Sequence, residues 1–324
     1  MLNRREFLGA SLGAAAVAAQ AAPTDKFRWA MNGGFFRPMS GSYEAPGLLP
    51  HPEEGLKWIA RYGFQGVEEF LQDMPKYIDK PPAEFKALLD ENGLAMCTIG
   101  GYVDPNQGQQ TIDEAVKLAR FIAACGGKHL KVNLRGRPAG APPNWRTEEE
   151  YRVLAKVLNE IGRRTADLGI KFAHHPHARG PVEGNEVLAK VMDITDPKFV
   201  HIIADTCHLA LGGVDPLKCI RDYYPRVAAI HFKDAEAKYN VAKTGWKGPA
   251  PSAEDHRKFN NFKPFGTGGV DFVGIVRLLR ERNYDSWITL DFDAPRPGEG
   301  SLKENMDNYT KYISGTLNAT LKTS

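Results

Sequence analysis

Short apolar runs alternate with amphipathic stretches along the chain, and glycine marks most of the boundaries. An apolar run over 27–32 ends in Gly33-Gly34 and reads as a first strand. The segment 52–62 carries proline in its first turn and stops at Gly63, which predicts a helix. Gly66-Val67-Glu68-Glu69-Phe70 reads as strand two. The spacing of Phe85, Leu88 and Leu89 predicts a helix over 83–91, ended by Asn92-Gly93. Strand three is expected over 94–99. Thr111-Ile112-Asp113-Glu114 has the form of a capping box and predicts a helix from there to 124. Strand four follows over 129–134, and Thr147 caps a long amphipathic helix to 168. The same alternation continues through strands over 170–173, 200–204, 227–230 and 286–290. Helices are expected over 185–192, 216–223, 271–282 and 302–317. Strand and helix in strict alternation, eight times over, make a single-domain α/β fold, a (β/α)8 TIM barrel. The right-handedness of parallel crossovers leaves few alternatives.

The first residues do not belong to that pattern. Asn3-Arg4-Arg5-Glu6-Phe7-Leu8 precedes an uncharged Ala/Gly-rich run, and Ala19-Gln20-Ala21 offers small residues to a signal peptidase. This order reads as a twin-arginine signal peptide over 1–21, with the barrel over 22–324 and a periplasmic mature protein. The run is too short and too rich in Ala and Gly for a membrane span. The chain of 324 residues is 42% hydrophobic, enough for one large core, and its net charge of +3 gives no strong pull on polyanions. Cys97, Cys125, Cys207 and Cys219 fall in apolar strand runs or helical patterns, so buried free thiols are expected. The stretch 235–266 is long, polar and contains Trp246, and loops of that length are usually functional or mobile.

Polar residues recur where the apolar runs end. Glu68 or Glu69 closes strand two, and Lys131 or Asn133 lies on strand four. His175 and His177 follow strand five, and Asp205 and His208 follow strand six. His231 and Lys233 follow strand seven, and Asp291 and Asp293 follow strand eight. Barrel chemistry sits at the carboxyl ends of strands. A charge there costs free energy unless it is paired or bound to metal. Neighbouring strand residues face opposite ways, so only one of Glu68 and Glu69 reaches the mouth, and His174 faces away from His175. Asp205 also stands where a helix N-cap would. As a set, the N/O donors suit a divalent metal ion such as Mn²⁺, Co²⁺, Zn²⁺ or Fe²⁺.

The ordered motifs resemble the xylose-isomerase-like TIM-barrel group of sugar isomerases, epimerases and dehydratases, and within it the inosose dehydratases. They are Ala173-His174-His175-Pro176-His177, then Ala204-Asp205-Thr206-Cys207-His208 with Gly212-Gly213-Val214-Asp215-Pro216, then Ile230-His231-Phe232-Lys233-Asp234. Phe265-Gly266-Thr267-Gly268-Gly269-Val270-Asp271-Phe272 and the run from Tyr284-Asp285-Ser286-Trp287 to Asp291 complete the set. The first half matches more loosely, through Gly63-Phe64-Gln65-Gly66-Val67-Glu68. The resemblance implies a metal set of His175, Asp205, His231 and Asp291, where the last position is normally glutamate. It implies one divalent ion, with Mn²⁺ favoured and Co²⁺, Zn²⁺, Fe²⁺ or Mg²⁺ open.

The chemistry implied is enolisation of a keto-sugar, keto-glycoside or keto-polyol, followed by elimination or isomerisation. Glu68, Asp293 and His177 are the candidates for acid or base. Lys233 is expected to hold a substrate oxygen, with His208, Lys131 and Trp246 binding substrate. Aromatic residues of the N-terminal strand region, Trp29, Phe35 and Phe36, could stack on sugar rings. The expected partner is a small carbohydrate or polyol, without nucleic acid and without a membrane once the leader is cleaved, and a homo-oligomer stays open. A nuclease on the same barrel is disfavoured by the near-neutral charge, and a non-catalytic sugar-binding barrel is the other alternative.

Overall fold

The computed structural model describes residues 25–33, 52–71, 74, 76–259, 261–293, 295 and 298–322. The leader, Phe35 and Phe36 lie outside them. Apolar runs of four to nine residues become the strands β1 (Arg28–Asn32), β2 (Gly66–Phe70), β3 (Ala95–Val103), β4 (His129–Leu134), β5 (Lys171–His174), β6 (Val200–Asp205), β7 (Val227–Phe232) and β8 (Trp287–Leu290). They are parallel, each beside its sequence neighbours. The barrel closes where Arg28 faces Trp287 and Met31 faces Leu290.

The outward faces of these strands and the apolar stripes of the surrounding helices form one core. Val132, Phe172, Ile202 and Ile230 belong to it, with Leu154, Leu158 and Ile161 from the helix Glu148–Ala166. Thr147 and Glu150 start that helix with a reciprocal capping box. A fully buried Leu or Ile contributes about 1.5–3 kcal/mol, so the stripes outweigh the few tenths that helix propensity decides.

The inward faces are shorter-chained at the bottom. Ala30, Cys97, Ala173, Ile203 and Ala229 surround Trp287, which plugs the floor. Gly66 makes this possible, because a Cβ there would stand 2.6 Å from the indole. Above that floor the lumen turns polar.

Three local readings are corrected. The helix expected at Thr111 begins at Gln109, and Thr111 is buried in its first turn with its hydroxyl accepting from the Asp104 amide at 3.3 Å. Asp104 instead caps a 3-10 turn over Pro105–Gln107, and Gly108 at φ 54° leads directly into the helix. β3 runs on to Val103 because its last residues still find partners, Val103 opposite Leu134. The last helix ends at Lys311 and passes into a π turn over Tyr312–Thr316.

The stretch after β7 contains an antiparallel ribbon, Asp234–Ala235 against Phe262–Lys263. The Asp234 carboxylate pins it by accepting from the backbone N–H groups of Ala235, Gly266, Gly268 and Val270. All four cysteines are buried free thiols. Among the described residues, no helix is long and apolar enough to cross a membrane.

Candidate metal centre at the barrel mouth

The period of two carries the inward face up from the floor: Ala30 to Asn32, Ala173 to His175, Ile203 to Asp205, Ala229 to His231, and Trp287 through Thr289 to Asp291. His175, Asp205, His231 and Asp291 meet there. Each is buried, and one ligand atom from each lies within 4.8 Å of the others. Asp205 Oδ2 is 3.5 Å from both His175 Nε2 and His231 Nδ1, and His231 Nδ1 is 2.8 Å from Asp291 Oδ2.

A second contact fixes the far end of every one of these side chains. His175 Nδ1 lies 2.8 Å from Asn133 Oδ1. An amide oxygen only accepts, so Nδ1 carries the proton and Nε2 is the bare nitrogen. Asp205 Oδ1 accepts from the His208 amide at 2.8 Å, so the expected N-cap is real and uses only one carboxylate oxygen. Asp291 Oδ1 accepts from Asn32 Nδ2 at 2.5 Å. His231 Nε2 lies 2.8 Å from Glu68 Oε2. What remains turned inward includes His175 Nε2 and Asp205 Oδ2, two buried atoms with no hydrogen-bond partner among the described residues. Each such orphan costs about 1–3 kcal/mol. A divalent cation satisfies both, and two imidazoles with two carboxylates suit Mn²⁺, Fe²⁺, Co²⁺ or Zn²⁺. The residues therefore fit a metal ion.

The electrostatics agree. Burial pushes the Asp205 carboxyl up, but the imidazoles gathered around it, His208, His175 and His231, outweigh burial and hold Asp205 well below the usual carboxylate range. Burial pulls His231 down, yet the Glu68 carboxylate, the nearby Asp205 carboxylate and the hydrogen bond to Asp291 raise it to about 10. A cation at Nδ1 competes with that proton.

These shifts predict the pH dependence of stability. His231 is raised above its ordinary 6.5, so its contribution is complete below pH 6.5 and is lost as pH rises towards about 10. His174 and His129 are pulled down by burial, to about 3 and about 4, with the Arg226 and Lys171 charges respectively adding to it. Below pH 6.5 the unfolded chain takes up protons that these two refuse when folded, so stability falls in acid. With chelator present, the melting temperature should peak near neutrality, and Mn²⁺ should flatten the alkaline side. Thermal melts over pH 4–10 with and without Mn²⁺ check this. An alkaline limb indifferent to Mn²⁺ would refute it.

The remaining candidates separate into two groups. Glu68 and Lys131 lie buried below the cluster, paired with each other. His177, His208, Lys233 and Asp293 lie on its other side. His177 Nδ1 donates to the Ala178 carbonyl at 2.7 Å, and its ring stacks on His208 at 3.6 Å. Burial, then the neighbouring His175, pulls His177 down to about 3, and burial also holds His208 well below its usual range. Lys233 Nζ is 3.2 Å from Asp293 and 3.5 Å from Asp291, and lies 4.3 Å over the Phe262 ring. Burial disfavours its charge, but those two carboxylates outweigh burial and raise it, so it stays an ammonium.

Trp246 is not brought to this cluster. Its indole N–H donates to the Leu211 carbonyl at 2.9 Å and its ring packs edge-on to Tyr239. His174 faces away from the mouth, as alternation requires, and neither of its ring nitrogens has a partner among the described residues. Asn32 and Phe262 were missed by the sequence reading. Asn32 carried a signal, a polar residue two after Ala30 at the end of an apolar run, whereas Phe262 sits on the loop ribbon and carried none.

The profile of the family described as xylose isomerase-like TIM barrel matches residues 56–312. An inosose dehydratase of Clostridium tetani is 32% identical over 274 residues, 81% of this chain and 88% of the relative. In structure, the chain is similar to the IOLI protein with a bound zinc atom, at TM-score 0.66 and 14% identity, covering 90% of this chain and 98% of that one. It is also similar to the 3-keto-D-glucoside 4-epimerase of E. coli, at TM-score 0.63 and 17% identity, covering 88% and 99%.

Proposed function

The chain belongs to the xylose isomerase-like TIM-barrel family, and from that premise we propose that it is a divalent-metal-dependent lyase. Its substrate is a small keto-sugar, keto-glycoside or keto-polyol, from which it eliminates water or an aglycone. The observation that carries the reading is the pair of orphaned buried atoms, His175 Nε2 and Asp205 Oδ2, facing one another inside a ring completed by His231 and Asp291. The relatives named inosose dehydratase support the reaction class.

His175, Asp205, His231 and Asp291 would hold the ion, which supplies a Lewis acid that polarises the ketone and stabilises charge developing on its oxygen. His177 takes the proton from the carbon beside the carbonyl. Its Nδ1–H is committed to Ala178, so Nε2 is the nitrogen with a free lone pair. The C–H electron pair becomes a C=C bond to the carbonyl carbon as the C=O π pair moves onto oxygen. When the C=O bond re-forms, the C=C pair shifts to join the α- and β-carbons and the bond to the β-oxygen breaks. His177 gives its proton to that departing oxygen, so one water or one alcohol leaves for each turnover. Lys233 presents its ammonium to substrate oxygen and is oriented by Asp293. Return of the proton to a neighbouring carbon instead would give isomerisation or epimerisation.

The setting we propose is the periplasm, on the strength of the Arg4-Arg5 leader pattern. The test is solvent-deuterium incorporation into a panel of keto-sugars, inososes and 3-keto-glycosides, read by mass spectrometry with Mn²⁺ or with chelator. Metal-dependent exchange with loss of water or aglycone is the expected result. Exchange at unchanged mass would make it an isomerase, and no exchange under any condition would sink the enolisation reading.

A further inference from the structure

Glu68 and Lys131 are fully buried beneath the metal cluster, and the chemistry proposed above uses neither. Lys131 Nζ donates to Glu68 Oε1 and lies 4.1 Å from the centre of the Phe70 ring. The other carboxylate oxygen, Oε2, is the one that meets His231 Nε2. The path of the lysine stem is shaped by β3. A Cβ on Gly100 would stand 2.9 Å from Lys131 Cε and 3.0 Å from Phe70 Cδ1. Such a pair is unusual as a stabilising device, because two charges leave water and apolar residues of the same volume often do as well. It makes sense if the carboxylate is needed in that place. Two opposed roles are open to it: a base that meets substrate, or a partner that sets a metal ligand.

The geometry favours the second. Both oxygens of Glu68 are engaged, one by the ammonium and one by the imidazole. We infer that Glu68, held by Lys131, is the positioning residue for His231: by accepting from Nε2–H it turns the ring so that the bare Nδ1 faces Asp205 and Asp291. A carboxylate behind a metal-binding histidine orients the ring and strengthens it as a ligand, and losing it typically costs 10–100-fold in metal affinity. The inference rests on the metal-site reading of the proposed function. It adds that Glu68 acts on metal uptake and not on substrate.

The test is Mn²⁺ affinity, measured by competition with a chelating dye on the purified full chain. Single substitutions strand one buried charge and can unfold the barrel, so two double variants are compared. E68L/K131M replaces the pair by apolar side chains and removes the acceptor for His231. E68Q/K131M also removes both charges but keeps an oxygen for Nε2–H. We expect E68L/K131M to bind Mn²⁺ about 10–100-fold more weakly than wild type, with E68Q/K131M recovering most of the loss. Deuterium exchange by E68L/K131M should return as Mn²⁺ is raised to saturation. Equal affinity in the two variants overturns the inference. So does wild-type affinity in E68L/K131M with exchange abolished at saturating Mn²⁺, which would make Glu68 the base. A wild type that binds Mn²⁺ but exchanges no substrate would sink the enolisation reading and leave this one standing.

Discussion

Asp205→Asn should remove the metal and lower turnover on the order of 10³-fold, while the barrel stays folded. Both halves of that expectation come from the two oxygens of one side chain. Oδ1 caps the helix Thr206–Leu211 through the His208 amide, and asparagine keeps an oxygen for that bond, since Asn and Asp serve almost equally as N-caps. Oδ2 is the orphaned acceptor between His175 Nε2 and His231 Nδ1. In the variant that place is taken by an NH₂ group, which turns two donor hydrogens towards ligand nitrogens and offers no lone pair to a cation. The Lewis acid contributes several kcal/mol to charge stabilisation, and each ~1.4 kcal/mol is a factor of ten, hence the 10³. Metal content by elemental analysis, a thermal melt and the elimination rate decide the matter. A D205N protein that retains stoichiometric metal and turnover would show that the four side chains are a structural ion network. Loss of fold would show that the charge on Asp205 holds the mouth together.

The centre of this site was readable in the sequence for a local reason. His175, Asp205, His231 and Asp291 each sit at or just past the end of an apolar run, and parity along a strand then decides which face they take. The same rule separated Glu68 from Glu69 and His175 from His174. It applies equally to Asn32, whose uncharged amide at a strand end carries a weaker signal than a charge, since an amide is less costly to bury. The other roles were not readable because they depend on contacts across the lumen. Lys131 and Glu68 are 63 residues apart, and Asn32 and Asp291 are 259 apart. No periodicity records that their side chains meet. Trp246 is a related case. An aromatic residue in a polar loop suggests a stacking platform, but its N–H is taken by Leu211 and its ring braces Tyr239. The helix at Gln109 started early because a backbone turn at Gly108 competes with the side-chain signal at Thr111.

His177→Gln should leave Mn²⁺ affinity near that of wild type and lower kcat by about 10²–10⁴-fold, the range for loss of a proton-transfer group. Of the three candidates for that role, we assign it to His177. Glu68 is engaged at both oxygens, by Lys131 and by His231. Asp293 turns Oδ2 to the Lys233 ammonium at 3.2 Å. His177 has its Nδ1–H tied to Ala178 and its ring held against His208, so Nε2 is left with an uncommitted lone pair. Its imidazole is pulled down to about 3 and is therefore neutral at every working pH. A base this weak gains little driving force from taking a proton, so the acidity of the α-carbon must come from polarisation of the ketone. In exchange, its conjugate acid releases the proton readily to a departing hydroxyl or alkoxide, which is what an elimination needs and an isolated deprotonation does not. The discriminating readout is deuterium exchange at saturating Mn²⁺, with Asp293→Asn alongside. Exchange lost in H177Q and retained in D293N supports the assignment. The opposite pattern transfers the role to Asp293 and makes His177 a substrate-binding ring. Because metal affinity is measured in the same samples, a loss of exchange caused by a disturbed His175 would be recognised as such.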